Sequence, residues 1–182
     1  NYTLQGAADL HPLPCAQTGG ITIPAMTTDL SDQQTLSATA LNDAIAALPR
    51  GRVLCIGDIM LDRFVYGQVE RISPEAPIPV LHVQREKKML GGVGNVAANI
   101  ASLGGEAIVI SVTAEDTAGG EIQSLLAAQN ITAALVAAND RQTTVKARFI
   151  SGGQQILRVD EEKTTAIAIG TEKEILSWAG KY

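Results

Sequence analysis

Two aspartates follow the first strongly apolar segment of the chain. Asp58 and Asp62 lie in GDIMLD, directly after RVLCI, an apolar run typical of a buried strand in a parallel sheet. Open α/β sheets bind ligands at the carboxyl ends of their strands, where ionised carboxylates accept strong hydrogen bonds from sugar hydroxyls. For Asp62 we favour this role over surface pairing with Arg63. For Asp58, ligand binding and the capping of a turn both remain open.

A pair of glycines marks the start of a predicted helix. Gly91 and Gly92 precede apolar residues at helical spacing, with Asn95 among them, and Gly104 and Gly105 supply the stop signal. A helix that begins on glycines leaves its first N–H groups uncovered, and its dipole places partial positive charge there. Such an end receives an anion or a polar small molecule. The alternative is a glycine turn that enters a core helix.

Three basic residues recur at alternating positions on a later pair of predicted strands. Lys146 and Arg148 share one face because side chains alternate along a strand, and Arg158 lies on the neighbouring strand. If that face looks into a cleft, these residues hold an anionic substituent, arginine through a bidentate fork and lysine as a point charge. The alternative is an exposed sheet face on which they pair with the acids at positions 160–162.

A dinucleotide-binding fingerprint competes for the glycine segment. The sequence GVGNVA, from Gly92 to Ala97, fits the pattern G-x-G-x-x-A, and Glu115 and Asp116 follow about 20 residues later, where an acid that binds ribose is expected. The fingerprint must follow directly on a buried strand. The polar pentad QREKK at positions 84–88 cannot end such a strand, which disfavours a nicotinamide-binding module.

The composition argues against several classes of function. A chain of 182 residues with 46% hydrophobic content predicts one domain that buries roughly two-thirds of its unfolded surface. A net charge of -5 and an aromatic content of 3% argue against a nucleic-acid partner. Cys15 and Cys55 lie far apart, which predicts a reduced, cytoplasmic protein. The sequence contains no apolar stretch long enough to span a membrane and no export signal, so we expect no membrane partner. His11 and His82 are isolated from other metal-binding residues, so we expect no metal site.

The first part of the chain divides into a leader and a helix. Residues 1–30 are rich in glycine and proline and predict an irregular leader, and we expect the native start to lie near Met26. Ser31, with Gln34 three residues later, predicts the N-cap of an amphipathic helix that ends at Pro49 and Gly51.

The remaining elements predict an α/β domain over residues 31–182. Buried strands are predicted at 52–56, 107–112 and 131–136, with helices at 119–129 and 171–179. This cadence implies right-handed crossovers and a parallel sheet with helices on both faces. Residues 64–72 and 78–83 flank the turn SPEAP and predict an antiparallel flap, and 143–150 with 155–159 predict a hairpin. No closing strand follows the last helix, which indicates a domain cut in mid-course.

These residues resemble a known family. Gly91, Gly92, Asn95, Ala97 and Asn99, followed by LG, resemble the N-terminal signature of the ribokinase-like (PfkB) carbohydrate kinases. Within that family, the segments GDIMLDRF and RISPEAPIPV are similar to the heptose-7-phosphate kinases of lipopolysaccharide core synthesis, often the first half of a bifunctional kinase and adenylyltransferase. The resemblance extends over about residues 52–162. It implies a three-layer α/β sandwich with a parallel central sheet and a small β-strand lid, near residues 64–83 and 143–159.

The resemblance also implies a reaction. It is the transfer of the ATP γ-phosphoryl group, with Mg²⁺, to the anomeric hydroxyl of D-glycero-D-manno-heptose 7-phosphate. Asp62 would bind sugar hydroxyls, Gly91, Gly92 and Asn95 would line the sugar site, and the lid would also serve as a homodimer clasp. The reaction needs positioning and charge neutralisation more than covalent chemistry, and a lid keeps water away. The alternative is a ribokinase-like kinase for another sugar or for a nucleoside.

The sequence departs from the family in its second half. The late G-x-G-D segment, which carries the catalytic base of the family, and the nucleotide site are missing, so the resemblance covers only the N-terminal portion. We therefore expect these 182 residues alone to show no kinase activity. An incomplete sheet also predicts an exposed edge and an exposed apolar surface. A truncated product that only pairs with a partner through its flap is a further alternative.

Overall fold

The computed structural model describes residues 37–182. The predicted leader, the start near Met26 and the N-cap at Ser31 lie outside this range. The elements in chain order are α1 (Ala38–Ala47), β1 (Arg52–Ile56), β2 (Ile59–Ile72), β3 (Pro79–Gly92), α2 (Val93–Ser102), β4 (Glu106–Thr113), α3 (Thr117–Ala128), β5 (Thr132–Ala137), β6 (Val145–Ser151), β7 (Gln154–Glu161) and α4 (Ile169–Ala179).

The described part of the first predicted helix begins at α1. The hydroxyl of Ser37 accepts a hydrogen bond from the amide of Ala40 at 3.1 Å, which satisfies one of the free N–H groups of the first turn. A short 3-10 turn, Leu48–Arg50, follows and contains the predicted stop at Pro49. Helix α1 buries none of its residues, so its apolar side chains remain exposed.

Three strands form the predicted parallel sheet, in the order β1-β4-β5. Helix α2 lies between β1 and β4 in the chain, and α3 connects β4 to β5, as expected for crossover connections. The prediction that β1 is buried was wrong, because only Cys55 is buried, whereas Val53 is 40% and Ile56 is 52% exposed. The reason is that β1 is an edge strand of this sheet. This confirms an exposed edge with exposed apolar residues.

Both faces of the central strand β4 are covered. Ala107 and Val109 belong to the core cluster that includes Ile122 and Leu126 of α3. The alternating residues Ile108 and Ile110 are also fully buried, on the opposite face, and α4 contacts β4 and β5. Each such buried side chain contributes roughly 1.5–3 kcal/mol to stability. Helices on both faces are therefore confirmed, and α4 begins two residues before its predicted start.

The flap and the hairpin join into a second sheet, which we call the mixed sheet, with the order β3-β2-β6-β7. Strands β2 and β3 are antiparallel, β6 and β7 are antiparallel, and β2 pairs with β6 in parallel. Both flap strands are longer than predicted, since β2 begins at Ile59 and β3 continues to Gly92. The pentad 84–88 lies within β3 and is exposed throughout, so the glycine segment follows a strand of the mixed sheet rather than one of the parallel sheet.

The two faces of the mixed sheet differ in their surroundings. Leu61, Leu90 and Val145 lie on one face and join the core cluster. The opposite face, which we call the outer face, carries Asp62 and Lys146, which are paired in register. In the part of the chain that the structure describes, no helix is long and apolar enough to cross a membrane.

Candidate functional site

Two neighbouring rows of side chains cross the outer face of the mixed sheet. Residues paired in register across adjacent strands lie on the same face. The first row contains Asp62, Lys146 and Asp160, and the second contains Phe64, Arg148 and Arg158. The structure therefore brings together four of the residues that the sequence singled out as site candidates. The parallel pairing of β2 with β6, which was not predicted, is what joins the acidic and the basic candidates.

Asp62 and Arg148 form the central ion pair of these rows. Nη1 of Arg148 lies 2.5 Å from Oδ1 of Asp62, and the two side chains are only 23% and 18% exposed. A charge-assisted hydrogen bond of this kind is about twice as strong as a neutral one. The alternative in which Asp62 pairs with Arg63 is wrong, because Arg63 points to the other face and bonds Glu86 at 2.8 Å. That hydrogen bond lowers the pKa of Glu86 despite the opposing effect of burial.

The other two bases, Lys146 and Arg158, are bound to acids at the end of β7 and just after it. Nζ of Lys146 lies 3.1 Å from Glu162 and 3.3 Å from Asp160, and Nε of Arg158 lies 3.0 Å from Asp160. The hydrogen bond to Glu162, opposed by burial and supported by Asp160, raises the pKa of Lys146. The alternative of pairing with residues 160–162 therefore holds for Lys146 and Arg158, but not for Arg148.

The glycine pair lies directly against Asp62. A Cβ atom at Gly91 would lie 2.5 Å from Oδ2 of Asp62, so any residue other than glycine would displace this carboxylate. Gly92 has a φ of +57°, and a Cβ there would fall on the carbonyl oxygen of Asp58. Both glycines are therefore required by close approach, and the second also by its left-handed backbone conformation.

The start of α2 is not closed by a side chain. Within residues 37–182, no side chain caps this helix, and the amide of Val93 donates to the carbonyl of Asp58 at 2.9 Å. Asn95 lies in the first turn and is exposed. Asp58 thus serves the helix start through its backbone, while its carboxylate makes no hydrogen bond within the described range. The first turn of α2 beside Asp62 is an open, partially positive surface that suits a polar ligand.

A cavity of about 520 Å³ adjoins these rows, at the carboxyl ends of β1 and β4. Asp58 and Met60 line it on one side, and Glu162 and the residues that follow line it on another. Met60 lines the cavity and also lies against Gly91, since its Cγ would lie 2.6 Å from a Cβ there. The sequence did not point to Met60, because a methionine between two aspartates carries no chemical signature.

Arg141 was also missed by the sequence analysis. It donates to the carbonyl oxygens of Thr165 and Ala166 at 3.2 and 3.1 Å and so fixes the wall of the cavity that precedes α4. The only signal available was a lone arginine in a polar loop. Its partners are backbone carbonyls, which no sequence pattern reveals.

Asp116 has a structural role in place of the ribose-binding role weighed above. Its carboxylate accepts hydrogen bonds from the amides of Gly119 and Thr143, each at 2.8 Å, and thereby caps α3 and ties it to the segment before β6. Burial alone would raise the pKa of Asp116, but these hydrogen bonds outweigh it and lower the pKa below its ordinary value. The oxygens that ribose would need are already engaged.

The ATP and Mg²⁺ implied by the resemblance were compared with the residues present. In the range that the structure describes, no group of three or more His, Cys, Asp or Glu residues is placed to hold a metal ion. The carboxylates of the outer face are bound to Arg and Lys instead. Within the described range, these outer-face carboxylates are therefore not free to bind Mg²⁺.

Known proteins similar to this chain agree with its fold. The chain is 52% identical to the bifunctional protein HldE of Hyphomonas neptunium over 126 residues. This match covers 69% of this chain and 26% of that protein. It is 56% identical to the HldE protein of Gluconacetobacter diazotrophicus over 116 residues, and this match covers 63% of this chain and 24% of that protein. The chain thus spans about a quarter of the length of these curated relatives.

Solved structures and a family model extend this comparison. Phosphofructokinase-2 from Escherichia coli, in complex with substrates and products, matches with a TM-score of 0.56 at 25% identity, over 72% of this chain and 41% of that one. A carbohydrate kinase from Agrobacterium tumefaciens shares the fold, with a TM-score of 0.50 at 21% identity, over 60% of this chain and 35% of that one. The sequence model of the pfkB family carbohydrate kinases matches residues 50–180. Because this match spans both sheets and the glycine pair beside Asp62, the chain belongs to the pfkB family of carbohydrate kinases.

Proposed function

We propose that this chain is the sugar-binding part of an ATP-dependent kinase that phosphorylates the anomeric hydroxyl of D-glycero-D-manno-heptose 7-phosphate. The observation that carries the proposal is the carboxylate of Asp62, held against Gly91 at the open start of α2. The identity of about 50% to HldE proteins and the motifs GDIMLDRF and RISPEAPIPV support the heptose as the substrate.

The sugar would bind beside the glycine pair, of which Gly92 is exposed and Gly91 is buried against Asp62. Oδ2 of Asp62 faces the space that a side chain at Gly91 would fill, so a hydroxyl group can reach this oxygen from the glycine side. The first turn of α2, which contains the exposed Asn95, would supply further donors to the sugar. A carboxylate facing several donors suits a polyol, whose hydroxyls both donate and accept.

The 7-phosphate would bind on the second row of the outer face. Arg148 and Arg158 are paired in register there, and Lys146 lies in the adjoining row. Arginine forks bind phosphate oxygens in pairs, which suits the charged end of the substrate. With the sugar at Asp62 and the phosphate at the arginines, the substrate would lie along β2 and β6.

The mixed sheet would then act as a lid. The phosphoryl transfer itself requires that the acceptor hydroxyl be positioned and that water be excluded, rather than covalent participation of the protein. In this proposal the chain holds the acceptor hydroxyl and keeps water away from it. We also propose a homodimer contact through the lid, since the edge strand β7 exposes Leu157 and Val159.

Thermal unfolding in the presence of three ligands tests the proposal. A ligand at 100 times its dissociation constant adds about 2.7 kcal/mol to the stability of the state that binds it. We expect heptose 7-phosphate to raise the unfolding temperature of the 182-residue chain, and fructose 6-phosphate and NAD to leave it unchanged. Stabilisation by fructose 6-phosphate alone would favour another sugar kinase, and stabilisation by NAD alone would refute the kinase assignment.

A further inference from the structure

Arg148 occupies one of the two oxygens of the carboxylate that the sugar is proposed to use. Oδ1 of Asp62 accepts the hydrogen bond from Nη1 of Arg148 at 2.5 Å, whereas Oδ2 faces Gly91. An oxygen engaged by a guanidinium group is not free to accept hydrogen bonds from a sugar hydroxyl at full strength. The two residues that the proposed function assigns to opposite ends of the substrate are therefore bound to each other.

The surroundings of Arg148 favour its transfer to an anion. Arg158 lies directly opposite Arg148 on β7, and like charges at such cross-strand positions repel each other. The guanidinium carbon of Arg148 lies 5.1 Å from the centre of the Phe64 ring, so the group is supported by an aromatic face while it changes partners. Among the residues with a described position, only Asp62 accepts a hydrogen bond from Arg148, and the remaining N–H groups are available.

The paired charges of the outer face balance one another. Three bases, Lys146, Arg148 and Arg158, are paired with three acids, Asp62, Asp160 and Glu162. A phosphate ester adds about two negative charges at neutral pH. The phosphate binds most readily to a base that can leave its carboxylate partner. Among the paired bases, Arg148 is the one whose partner, Asp62, lies beside the glycine pair.

We propose that the phosphate of the substrate takes Arg148 from Oδ1 of Asp62, and that this exchange frees that oxygen to accept from a second sugar hydroxyl, beside the one at Oδ2; the inference rests on the proposed function. The phosphate then lies between Arg148 and Arg158 and relieves their repulsion. The two ends of the substrate bind cooperatively, because the phosphate end removes the competitor for the sugar end. A sugar without a phosphate must break the ion pair unaided, so the exchange selects phosphorylated sugars.

A different role of Arg148 makes the opposite prediction. If Arg148 only positions Asp62, its removal weakens binding of the sugar with or without a phosphate. If it exchanges partners, its removal weakens the phosphorylated sugar but leaves the free sugar bound equally well or more tightly. The ratio of the two affinities therefore separates exchange from simple positioning.

Isothermal titration calorimetry on the 182-residue chain provides the test, with heptose 7-phosphate and the same heptose without its phosphate as probes. For Arg148→Gln we expect the affinity for the phosphorylated sugar to fall by about 10- to 100-fold, which corresponds to the loss of one hydrogen bond between charged groups. The affinity for the free sugar should not fall. The matched control is Arg63→Gln, which breaks the Arg63–Glu86 pair on the other face of the same strand and should leave the ratio unchanged.

The outcomes distinguish the exchange from the proposed function. Equal weakening of both sugars by Arg148→Gln overturns the exchange and leaves the proposed function standing, whereas failure of the folded wild-type chain to bind heptose 7-phosphate overturns both. A second measurement needs no variant: saturating inorganic phosphate should increase the affinity of the wild-type chain for the free heptose. An unchanged or reduced affinity would overturn the exchange even if Arg148→Gln does not fold.

Discussion

Replacement of Gly91 by alanine changes the candidate site by a single methyl group. The added Cβ would lie 2.5 Å from Oδ2 of Asp62 and 2.6 Å from Cγ of Met60, whereas non-bonded heavy atoms are normally about 3.5–4.0 Å apart. The carboxylate must therefore move by about 1 Å, since Met60 alone cannot relieve both contacts. Overpacking of this kind costs about 1–3 kcal/mol of unfolding free energy, and loss of one hydrogen bond to a charged group weakens binding by about 10- to 100-fold.

The assay combines two measurements on Gly91→Ala, the dissociation constant for heptose 7-phosphate by calorimetry and the unfolding free energy in urea. We expect binding to weaken by about 10- to 100-fold while the protein remains folded. Gly120→Ala is the matched control, because a Cβ there has no atom within 4 Å and α3 gains a better helix former. Unchanged binding by Gly91→Ala would refute the assignment of Asp62 and the glycine pair to the sugar.

Three further predictions concern the backbone and the tie between the two sheets. Gly92→Ala should lower the unfolding free energy by about 1–3 kcal/mol in urea denaturation, because it combines a left-handed φ with a collision at the carbonyl of Asp58. Asp116→Ala should cost about 0.5–2 kcal/mol through loss of the α3 cap, and should speed hydrogen exchange of the β6 amides that follow Thr143. The pKa of Asp116 is lower in the folded protein than in the unfolded chain. Its stabilising contribution is therefore complete above the unfolded-state pKa, about pH 4, and is lost as the pH falls through the pKa of the folded state. Urea titrations from pH 6 to pH 2.5 should show a steeper decline for the wild type than for Asp116→Ala.

The sequence predicted the parallel sheet because its strands and helices follow local rules. The apolar runs, the glycine stop signals and the crossover cadence depend on neighbours within a few residues, and β4, α3 and β5 appear close to their predicted positions. The length of β2 and β3 was underestimated, because their polar residues face solvent in a sheet that is only partly covered. Burial of β1 could not be predicted, since it depends on what lies beside the strand.

The candidate site was predicted as separate pieces. Asp62, Gly91 and the three bases were all identified by residue type and spacing, but their association depends on the parallel pairing of β2 with β6, between residues more than 80 positions apart. No local pattern specifies that Arg148 reaches Asp62 while Lys146 bonds Asp160 and Glu162. The consequence that matters most for function, the competition for Asp62, is visible only in three dimensions.

The central claim is that the open start of α2 and Asp62 enclose a sugar. The most direct measurement is a titration of the ¹⁵N-labelled chain with heptose 7-phosphate, followed by the backbone amide resonances. The account predicts that the largest shifts fall on Gly91, Gly92 and Asn95. Saturable binding that leaves the amides of residues 91–95 unmoved would contradict it.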